Sequence, residues 1–405
     1  MQTAKPWSAS ISLRGFYDDN INSTKDDKTD SLGFEINPSV GIGFATDRTS
    51  GSFGYTYSGK YYETKPGDNS SNWDHTHIFD AALQHAFSSR ARLAITDSFV
   101  IGQEPDVLRV ENITVGPQRI SGDNIRNHGT IVFNYQVTEL LGLEVGYANS
   151  WYDYDDEGEV IAFAPLPVVA ASSRSGVLDR IEHAPFINTR WQLSPQTVGV
   201  IGYMYGETDY TGDEFVQGDL NLLIPFSKSD DRNSRSHFGY VGVEHSFNPQ
   251  LSGTARVGVQ YIDFYNEGTT SLSPYMEATM RYFYGPENRV EGGATYRRSS
   301  TDFVGSTSVV EDADTAVIYG SVTHRIMPRL YGTVIGTFQW QQFNGGGSGS
   351  DGENDYFYLL GTDLSYRFNA HWSAHVGYNL DVLDSDISDR DYTRNRVYVG
   401  VTADY

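Results

Sequence analysis

Several kinds of residue and segment are missing from this sequence, and each absence excludes a class of protein. The 405 residues include no cysteine, which excludes disulfide frameworks, thiolate metal sites and cysteine nucleophiles. No uninterrupted run of about 18 apolar residues occurs, so the chain does not cross a membrane with helices. Basic residues are scarce, with 29 Lys and Arg against 52 Asp and Glu and a net charge of −23. This acid excess argues against a nucleic-acid partner, because phosphate groups need basic side chains.

Aromatic residues and glycine are plentiful instead, and apolar residues alternate with polar ones along most of the chain. There are 28 Tyr, 21 Phe and 41 Gly, a composition that favours strands over helices. Alternation with period two marks residues 7–15, 32–44 and 372–381, and no segment has a sustained helical period. The pattern predicts all-β structure in which each strand has one apolar and one polar face.

Short turns and longer polar loops alternate between these strands. The turns fall at 46–49, 88–90, 137–139, 194–196, 248–250, 285–287, 327–329 and 369–371. The loops fall near 18–30, 65–72, 103–126, 154–176, 209–234, 266–270, 299–313, 343–355 and 383–391. This division predicts 18 antiparallel strands, with 16 as the alternative count.

Short turns on one side and long loops on the other are typical of a transmembrane up-and-down β-barrel of the bacterial outer membrane. A soluble sandwich fits less well, since the persistent polar face leaves nowhere for a second sheet to pack. We therefore expect one outer-membrane β-barrel domain over residues 1–405, with no plug and no periplasmic domain. The short turns and both termini are expected to be periplasmic.

The last strand has alternating apolar residues and ends in an aromatic ring. The residues that share this face are Val397, Val399, Val401, Ala403 and Tyr405. They resemble the C-terminal signal that the barrel assembly machinery reads in outer-membrane proteins, so that machinery is an expected partner during biogenesis. The alternative is a lipid-facing strand that merely completes the barrel.

Arginines recur on the polar face, mostly near the short turns. With two glutamates they form the candidate pore lining: Arg92, Arg190, Arg256, Arg281, Arg289, Arg297, Arg325, Arg367, Glu277 and Glu291. A basic mouth would concentrate anions, because a low-dielectric wall focuses the field into a pore. Alternatively, the arginines pair with Glu144, Glu244, Glu277 and Glu291 across neighbouring strands and brace the wall.

One predicted loop contains an uncharged apolar segment at residues 160–171. Its large apolar residues are Val160, Ile161, Phe163, Leu166 and Val168. Because exposed apolar patches usually mark contacts, the segment is a candidate constriction inside the lumen or a candidate contact for a partner. Packing against the barrel rim is an equally good interpretation.

The acidic loops contain weak candidates for a metal site. Asp384, Asp386 and Asp389 could contribute to a calcium site, although a solvated loop explains them better. The segment that starts at Asp153 resembles a calcium-binding loop, but its twelfth position is Ala164 rather than a bidentate glutamate. Otherwise we expect no metal.

Catalytic signatures are missing as well. There is no Gly-x-Ser-x-Gly elbow and no local Ser, His and Asp constellation. His75 and His77 share a face, but no third metal ligand lies nearby in the sequence. We therefore expect neither enzymatic activity nor a cofactor.

One short segment carries a family resemblance. Residues 15–21 read Gly-Phe-Tyr-Asp-Asp-Asn-Ile, which is similar to the Tyr-Asp-Asp-Asn-Val segment of a β-barrel porin family of the bacterial outer membrane. Members of that family often accompany exopolysaccharide or exosortase-linked surface systems. The resemblance implies an outer-membrane channel, and it implies no catalytic residues.

Three functions fit these expectations. The first is a porin-like conduit for small hydrophilic solutes, and the second is an export pore for an anionic exopolysaccharide. The third is a non-conducting structural barrel that anchors a surface partner through its acidic loops or through residues 160–171. Lipid and lipopolysaccharide are the expected surroundings, a polysaccharide or a surface protein is a candidate partner, and the oligomeric state is open.

Overall fold

The computed structural model describes residues 5–65, 71–103, 122–155, 159–161, 168–171, 173–305 and 307–405, and most of them are in strands. The strands β1 to β22, in chain order, are Trp7–Asp18, Ser31–Ala45, Thr49–Tyr62, Trp73–Ala86, Ala91–Gly102, Asn124–Gln136, Leu141–Tyr154, Glu159–Ile161, Val168–Ala171, Arg180–Ser194, Thr197–Tyr210, Phe215–Asp219, Ile224–Lys228, Ser234–Asn248, Leu251–Phe264, Thr269–Gly285, Asn288–Ser299, Val310–Met327, Leu330–Gly345, Asn354–Arg367, Trp372–Ser385 and Tyr392–Asp404. The helices are α1 at Arg174–Leu178 and a 3₁₀ helix at Ser229–Arg232. Within the described ranges, no helix is long and apolar enough to cross a membrane.

Eighteen of the strands form one sheet that closes on itself. Strand β1 pairs with β2 on one side and with β22 on the other, so Leu13 lies opposite both Ile36 and Val401. The other four strands, β8, β9, β12 and β13, form a small separate sheet within two of the loops. The prediction of an 18-stranded antiparallel barrel is confirmed.

The two ends of the barrel differ. At one end, here called the turn end, short turns connect β2 to β3, β4 to β5 and the later pairs at the predicted positions. At the other end, the loop end, the predicted long loops connect the strands. The start of β1 and the end of β22 lie at the turn end, where Ala9 and Tyr405 exchange backbone hydrogen bonds of 3.2 and 2.8 Å.

The two faces of the sheet differ in the polarity of their side chains. Apolar side chains point outward, as Ile42 and Val399 do with 62% and 63% of their surface exposed. Polar and small residues occupy most of the inward face, with two clusters of large apolar and aromatic residues among them. Closure pairs every strand with two neighbours, so the sheet has no free edge in the lipid, where unpaired backbone groups are costly. The barrel therefore presents an apolar exterior to a bilayer and a polar interior to water.

The C-terminal strand β22 follows the same rule. Its outward residues Val397, Val399 and Val401 are exposed, and so is Tyr405. The ring of Tyr405 lies 5.3 Å from that of Trp7, between centroids, and the Lys5 ammonium lies 3.6 Å from its centre. This places an aromatic and basic cluster at the turn end. Its part in assembly stays a prediction.

Candidate functional site

Small residues line one side of the barrel interior. A continuous row of register partners crosses six strands from β3 to β10 on the inward face: Ser52, Ala82, Thr96, Thr130, Ala148 and Ala184. We call this row the small-residue wall. A cavity of about 1000 Å³ lies along it, and all six residues line that cavity. Small side chains therefore leave open space on this side of the barrel.

Large side chains fill the interior beside the small-residue wall, on β11, β14 and β16. Phe238, Tyr240 and Tyr275 form a buried cluster with Val200, all on the inward face of neighbouring strands. The Tyr240 hydroxyl donates a 2.7 Å hydrogen bond to the Asn188 side chain.

Farther round the barrel, Phe357, Leu359 and Leu383 form a second inward cluster. Burial of each such side chain contributes about 1.5–3 kcal/mol. We call the two clusters together the filled wall, and it occupies strands other than the β3–β10 strands of the small-residue wall.

Most of the predicted pore-lining arginines are paired near the turn end. Arg190 lies 3.5 Å from Glu144 and 2.5 Å from Glu244, between guanidinium nitrogens and carboxylate oxygens. Arg256 of β15 lies 3.5 Å from Glu277, the residue directly opposite it on β16. Arg281 of β16 lies 3.5 Å from Glu291, the residue directly opposite it on β17. Arg325 and Arg367 share Glu287. Cross-strand pairs of this kind brace the wall.

The remaining predicted arginines are not paired in this way. Within the described part of the chain, Arg92, Arg289 and Arg297 make no ion pair. Arg297 lines the 1000 Å³ cavity, which Asp80 and Glu182 also line. Arg92, together with Arg190, lines a second cavity of about 450 Å³ near the turn end. The interior therefore has charges of both signs. Among the predicted arginines, Arg92, Arg289 and Arg297 are those whose charge is not balanced by an ion pair within the described residues.

Three loops meet at the loop end of the barrel around Arg232. This residue is 1% exposed. Its guanidinium donates hydrogen bonds to the carbonyl oxygens of Val177 at 2.7 Å, Gly176 at 3.1 Å and Thr301 at 3.4 Å. It also lies 4.0 Å from the centre of the Tyr210 ring. One cation thus ties together the β7–β10, β11–β14 and β17–β18 loops.

Apolar packing supports this junction. Val177 and Leu178 of α1 pack on Tyr152 and Tyr154 from the inward face of β7, and Val216 of β12 joins them. Because the tyrosines point inward, α1 lies on the inner side of the wall. The helix begins at Ser173, whose hydroxyl accepts a hydrogen bond from the Gly176 amide. We call this assembly of Arg232, α1 and the packed loops the cap.

Asp179 is the C-cap residue of α1 and a partly buried titratable group of the cap. Its carboxylate accepts a 2.7 Å hydrogen bond from the Tyr154 amide. Burial raises the pKa of Asp179 to about 7, and the nearby Asp153 and Glu214 carboxylates add to the rise. The cap therefore contains a carboxyl group that titrates near neutral pH.

A second buried arginine extends the cap towards the far side. Arg390 pairs with Asp302 at 2.6 Å and with Asp355 at 3.0 Å. It connects the β21–β22 loop with the β17–β18 loop and with the end of β20. Beside it, Val310 and Phe343 form a buried apolar cluster. Ion pairs and apolar packing together fix the loops on this side of the loop end.

The predicted loop sites have different outcomes. Val160 and Ile161 lie in β8 and Val168 lies in β9, whereas Phe163 and Leu166 lie outside the described residues. Asp386 accepts hydrogen bonds from the Asn354 amide groups. No group of three or more possible metal ligands converges in the described ranges, and this includes Asp384 and Asp389. A role of residues 160–171 as a constriction or a contact stays a prediction.

Sequence reasoning missed the residues that build the cap. Arg232, Arg180 and Asp179 lie in or beside polar loops and look solvated in the sequence. Their burial depends on contacts between loops far apart in the chain, such as the one between Arg232 and Thr301. The one local signal is Ser173, because serine is favoured at the N-cap of a helix.

The closed barrel, apolar outside and polar within, defines the class as a porin-like β-barrel of the bacterial outer membrane. Residues 219–405 match the family model described as Putative beta-barrel porin 2. This match agrees with the family resemblance found in the sequence, although it lies in the C-terminal part of the chain and does not include residues 15–21. Porins of this kind are channels and not enzymes. No curated protein matches the sequence.

Solved structures of outer-membrane proteins are similar along nearly the whole chain. OpdK from Pseudomonas aeruginosa is 10% identical, with 98% of this chain and 99% of that chain covered and a TM-score of 0.45. OccAB4 from Acinetobacter baumannii is 12% identical, with 100% of this chain and 99% of that chain covered and a TM-score of 0.45. OpdQ from Pseudomonas aeruginosa is 13% identical, with 99% of this chain and 98% of that chain covered and a TM-score of 0.45.

Proposed function

We propose that this barrel is a passive channel through which small hydrophilic solutes cross the outer membrane, with its turn end and both termini in the periplasm. The observation that carries the proposal is the cavity of about 1000 Å³ along the small-residue wall. Its lining mixes hydroxyl groups, alanine and charges of both signs, which suits water and small polar molecules.

The filled wall and the cap favour small solutes over a polymer. Phe357, Leu359 and Leu383 occupy interior space that a polysaccharide chain would need, and they are nearly completely buried. Arg232 and Arg390 hold loops across the loop end through buried contacts. An export pore for an anionic exopolysaccharide therefore has less support than a narrow diffusion channel.

Single-channel recording in planar bilayers tests the proposal. We expect discrete conductance steps that Ala148→Trp and Ala82→Trp reduce, because an indole group on the small-residue wall fills the path. The matched control is Ala278→Trp, which adds the same group to the outward face of β16 and should leave conductance unchanged. A folded wild-type barrel without conductance steps would support a structural anchor instead.

Ion selectivity tests which arginines line the path. Arg297→Gln removes a charge that has no ion-pair partner among the described residues, and we expect the reversal potential to shift towards cations. The double variant Arg256→Gln/Glu277→Gln removes a neutral pair, so it should leave selectivity nearly unchanged. Equal reversal potentials for Arg297→Gln and the wild type would place Arg297 outside the path.

A further inference from the structure

Three histidines on the outward face make the same contact with a tyrosine of a neighbouring strand. In each pair the tyrosine hydroxyl lies 2.7 Å from histidine Nδ1, and the pairs are Tyr57 with His75, Tyr147 with His183, and Tyr203 with His237. The ring centroids are 6.0 to 6.2 Å apart. Each histidine lies two residues closer to the loop end than the residue directly opposite its tyrosine. We call these three pairs the tyrosine–histidine units.

The histidines of these units lie at one height on the barrel. Each is eleven residues from the turn-end residue of its strand, which is Ala86, Ser194 or Asn248. A strand crosses the apolar core of a bilayer in about 9–11 residues. The units also point outward, in step with exposed apolar residues of their strands, namely Phe53, Ile187 and Val241. The three histidine rings therefore lie at the level of lipid headgroups on the loop-end side.

The contacts of His183 show which of its ring nitrogens has the proton. The side-chain nitrogen of Asn149 donates to the Glu182 carbonyl oxygen at 3.0 Å and lies 3.2 Å from His183 Nδ1. Because an amide nitrogen is a donor, Nδ1 is an acceptor, and the Tyr147 hydroxyl donates to it as well. The proton of the neutral ring is therefore on Nε2, which donates in the charged ring too. The other two units have the same geometry, so the same assignment follows.

These Nε2–H groups need acceptors from outside the barrel. Within the described ranges, the Nε2 atoms of the three histidines have no hydrogen-bond partner. An N–H group without an acceptor is costly at the edge of the apolar layer. Phosphate groups occur at this level, and hydrogen bonds to charged acceptors are about twice as strong as those between neutral groups. Near His237, the Glu207 carboxylate is paired with Arg235 at 3.4 Å, which reduces its repulsion of a phosphate.

We propose that each of the three histidines donates an Nε2–H hydrogen bond to the phosphate of a lipid headgroup on the loop-end side. The tyrosine hydroxyl occupies Nδ1, which leaves Nε2 as the ring nitrogen that faces the lipid. In the orientation proposed above, the loop end is at the cell surface, so the lipid is the phosphorylated glycolipid of the outer leaflet. The proposal rests on that orientation for the choice of leaflet alone, and it does not depend on conduction.

Solid-state NMR tests the contact directly. The barrel is labelled with ¹⁵N-histidine and reconstituted in vesicles of digalactosyldiacylglycerol and bisphosphorylated lipid A, so that lipid A is the one source of ³¹P. We expect ³¹P to dephase Nε2 signals, and we expect this dephasing to fall in His75→Phe/His183→Phe/His237→Phe. The matched control is His128→Phe, which removes an inward histidine that lines the cavity and should leave the dephasing unchanged. Equal dephasing in the triple variant and the wild type would refute the contact.

Lipid counting by native mass spectrometry separates a lipid contact from a site for free anions. Each single variant, such as His183→Phe, should bind lipid A about tenfold more weakly at its unit, since a hydrogen bond to a charged group is lost. Dephosphorylated lipid A should bind the wild type and the triple variant equally. In detergent without lipid A, inorganic phosphate should not dephase Nε2. Dephasing by inorganic phosphate, or equal binding of bisphosphorylated lipid A by the wild type and the triple variant, would overturn the proposal. Heat-modifiable migration on gels confirms that each variant is folded.

Discussion

Replacement of Arg232 by alanine should open the cap and leave the barrel intact. The guanidinium makes two good hydrogen bonds to carbonyl oxygens, at 2.7 and 3.1 Å, and stacks 4.0 Å above Tyr210. A hydrogen bond to a charged group contributes about 1.5–3 kcal/mol. Loss of both hydrogen bonds should therefore cost about 3–6 kcal/mol. At 1.36 kcal/mol per tenfold, the equilibrium for local opening should rise by roughly two to four orders of magnitude.

Hydrogen exchange measures that opening directly. The Val177 and Asp179 amides donate to the Ser173 and Ser175 carbonyl oxygens within the first and last turns of α1. In Arg232→Ala, these amides should lose protection, while amides of the barrel strands keep theirs. The open-channel current should also become noisier, because the loops move near the loop end of the path.

The matched control for this prediction is Arg235→Ala. Arg235 lies three residues further along the chain, and its side chain is 49% exposed and pairs with Glu207 at 3.4 Å. An exposed ion pair contributes little to stability, so exchange in α1 should not change. Wild-type protection in Arg232→Ala, or an equal loss in Arg235→Ala, would refute the idea that Arg232 holds the cap together.

Three further changes have defined outcomes. Because the pKa of Asp179 is raised in the folded cap, its stabilising effect is present below about pH 4 and is lost as the pH rises through about 7. The protection of α1 amides from hydrogen exchange should therefore fall over that pH range in the wild type. In Asp179→Asn this protection should not change with pH. Leu359→Ala should lower unfolding stability by about 2–5 kcal/mol in urea titrations, and the outward Leu364→Ala should cost clearly less. Tyr405→Ser should reduce the amount of folded barrel in outer membranes, measured by heat-modifiable migration, and a normal yield would argue against an assembly signal.

The barrel itself could be predicted from the sequence because the patterns that specify its strands and turns lie within short stretches of the chain. Each strand has its own period of two, and each hairpin has its own turn, such as Asn248 to Gln250 between β14 and β15. Strand parity then fixes which residues face inward. Glu277 was one of four glutamates considered as possible cross-strand partners of the arginines, and the register places Arg256 directly opposite it.

The cap could not be predicted in the same way. Arg232 resembles any other charged loop residue, and its burial requires α1 and the β17–β18 loop to arrive from distant parts of the chain. The division of the interior into two sides was missed for a related reason. Serine and alanine on the small-residue wall and phenylalanine on the filled wall follow the same alternation, so period alone does not show which strands enclose the open space.

Strand β10 joins these two parts of the interior. Its inward face carries Ala184 of the small-residue wall, then Glu182, then Arg180 towards the loop end. Arg180 pairs with Glu182 at 2.7 Å and lies over the Tyr152 ring, which packs against α1. Under the proposed channel function, a solute that follows the small-residue wall towards the loop end would therefore reach Glu182 where the cap begins. Because Arg180 is nearly fully buried while Glu182 lines the cavity, the carboxylate is the charge that a solute meets there, and movement of the cap would change its position.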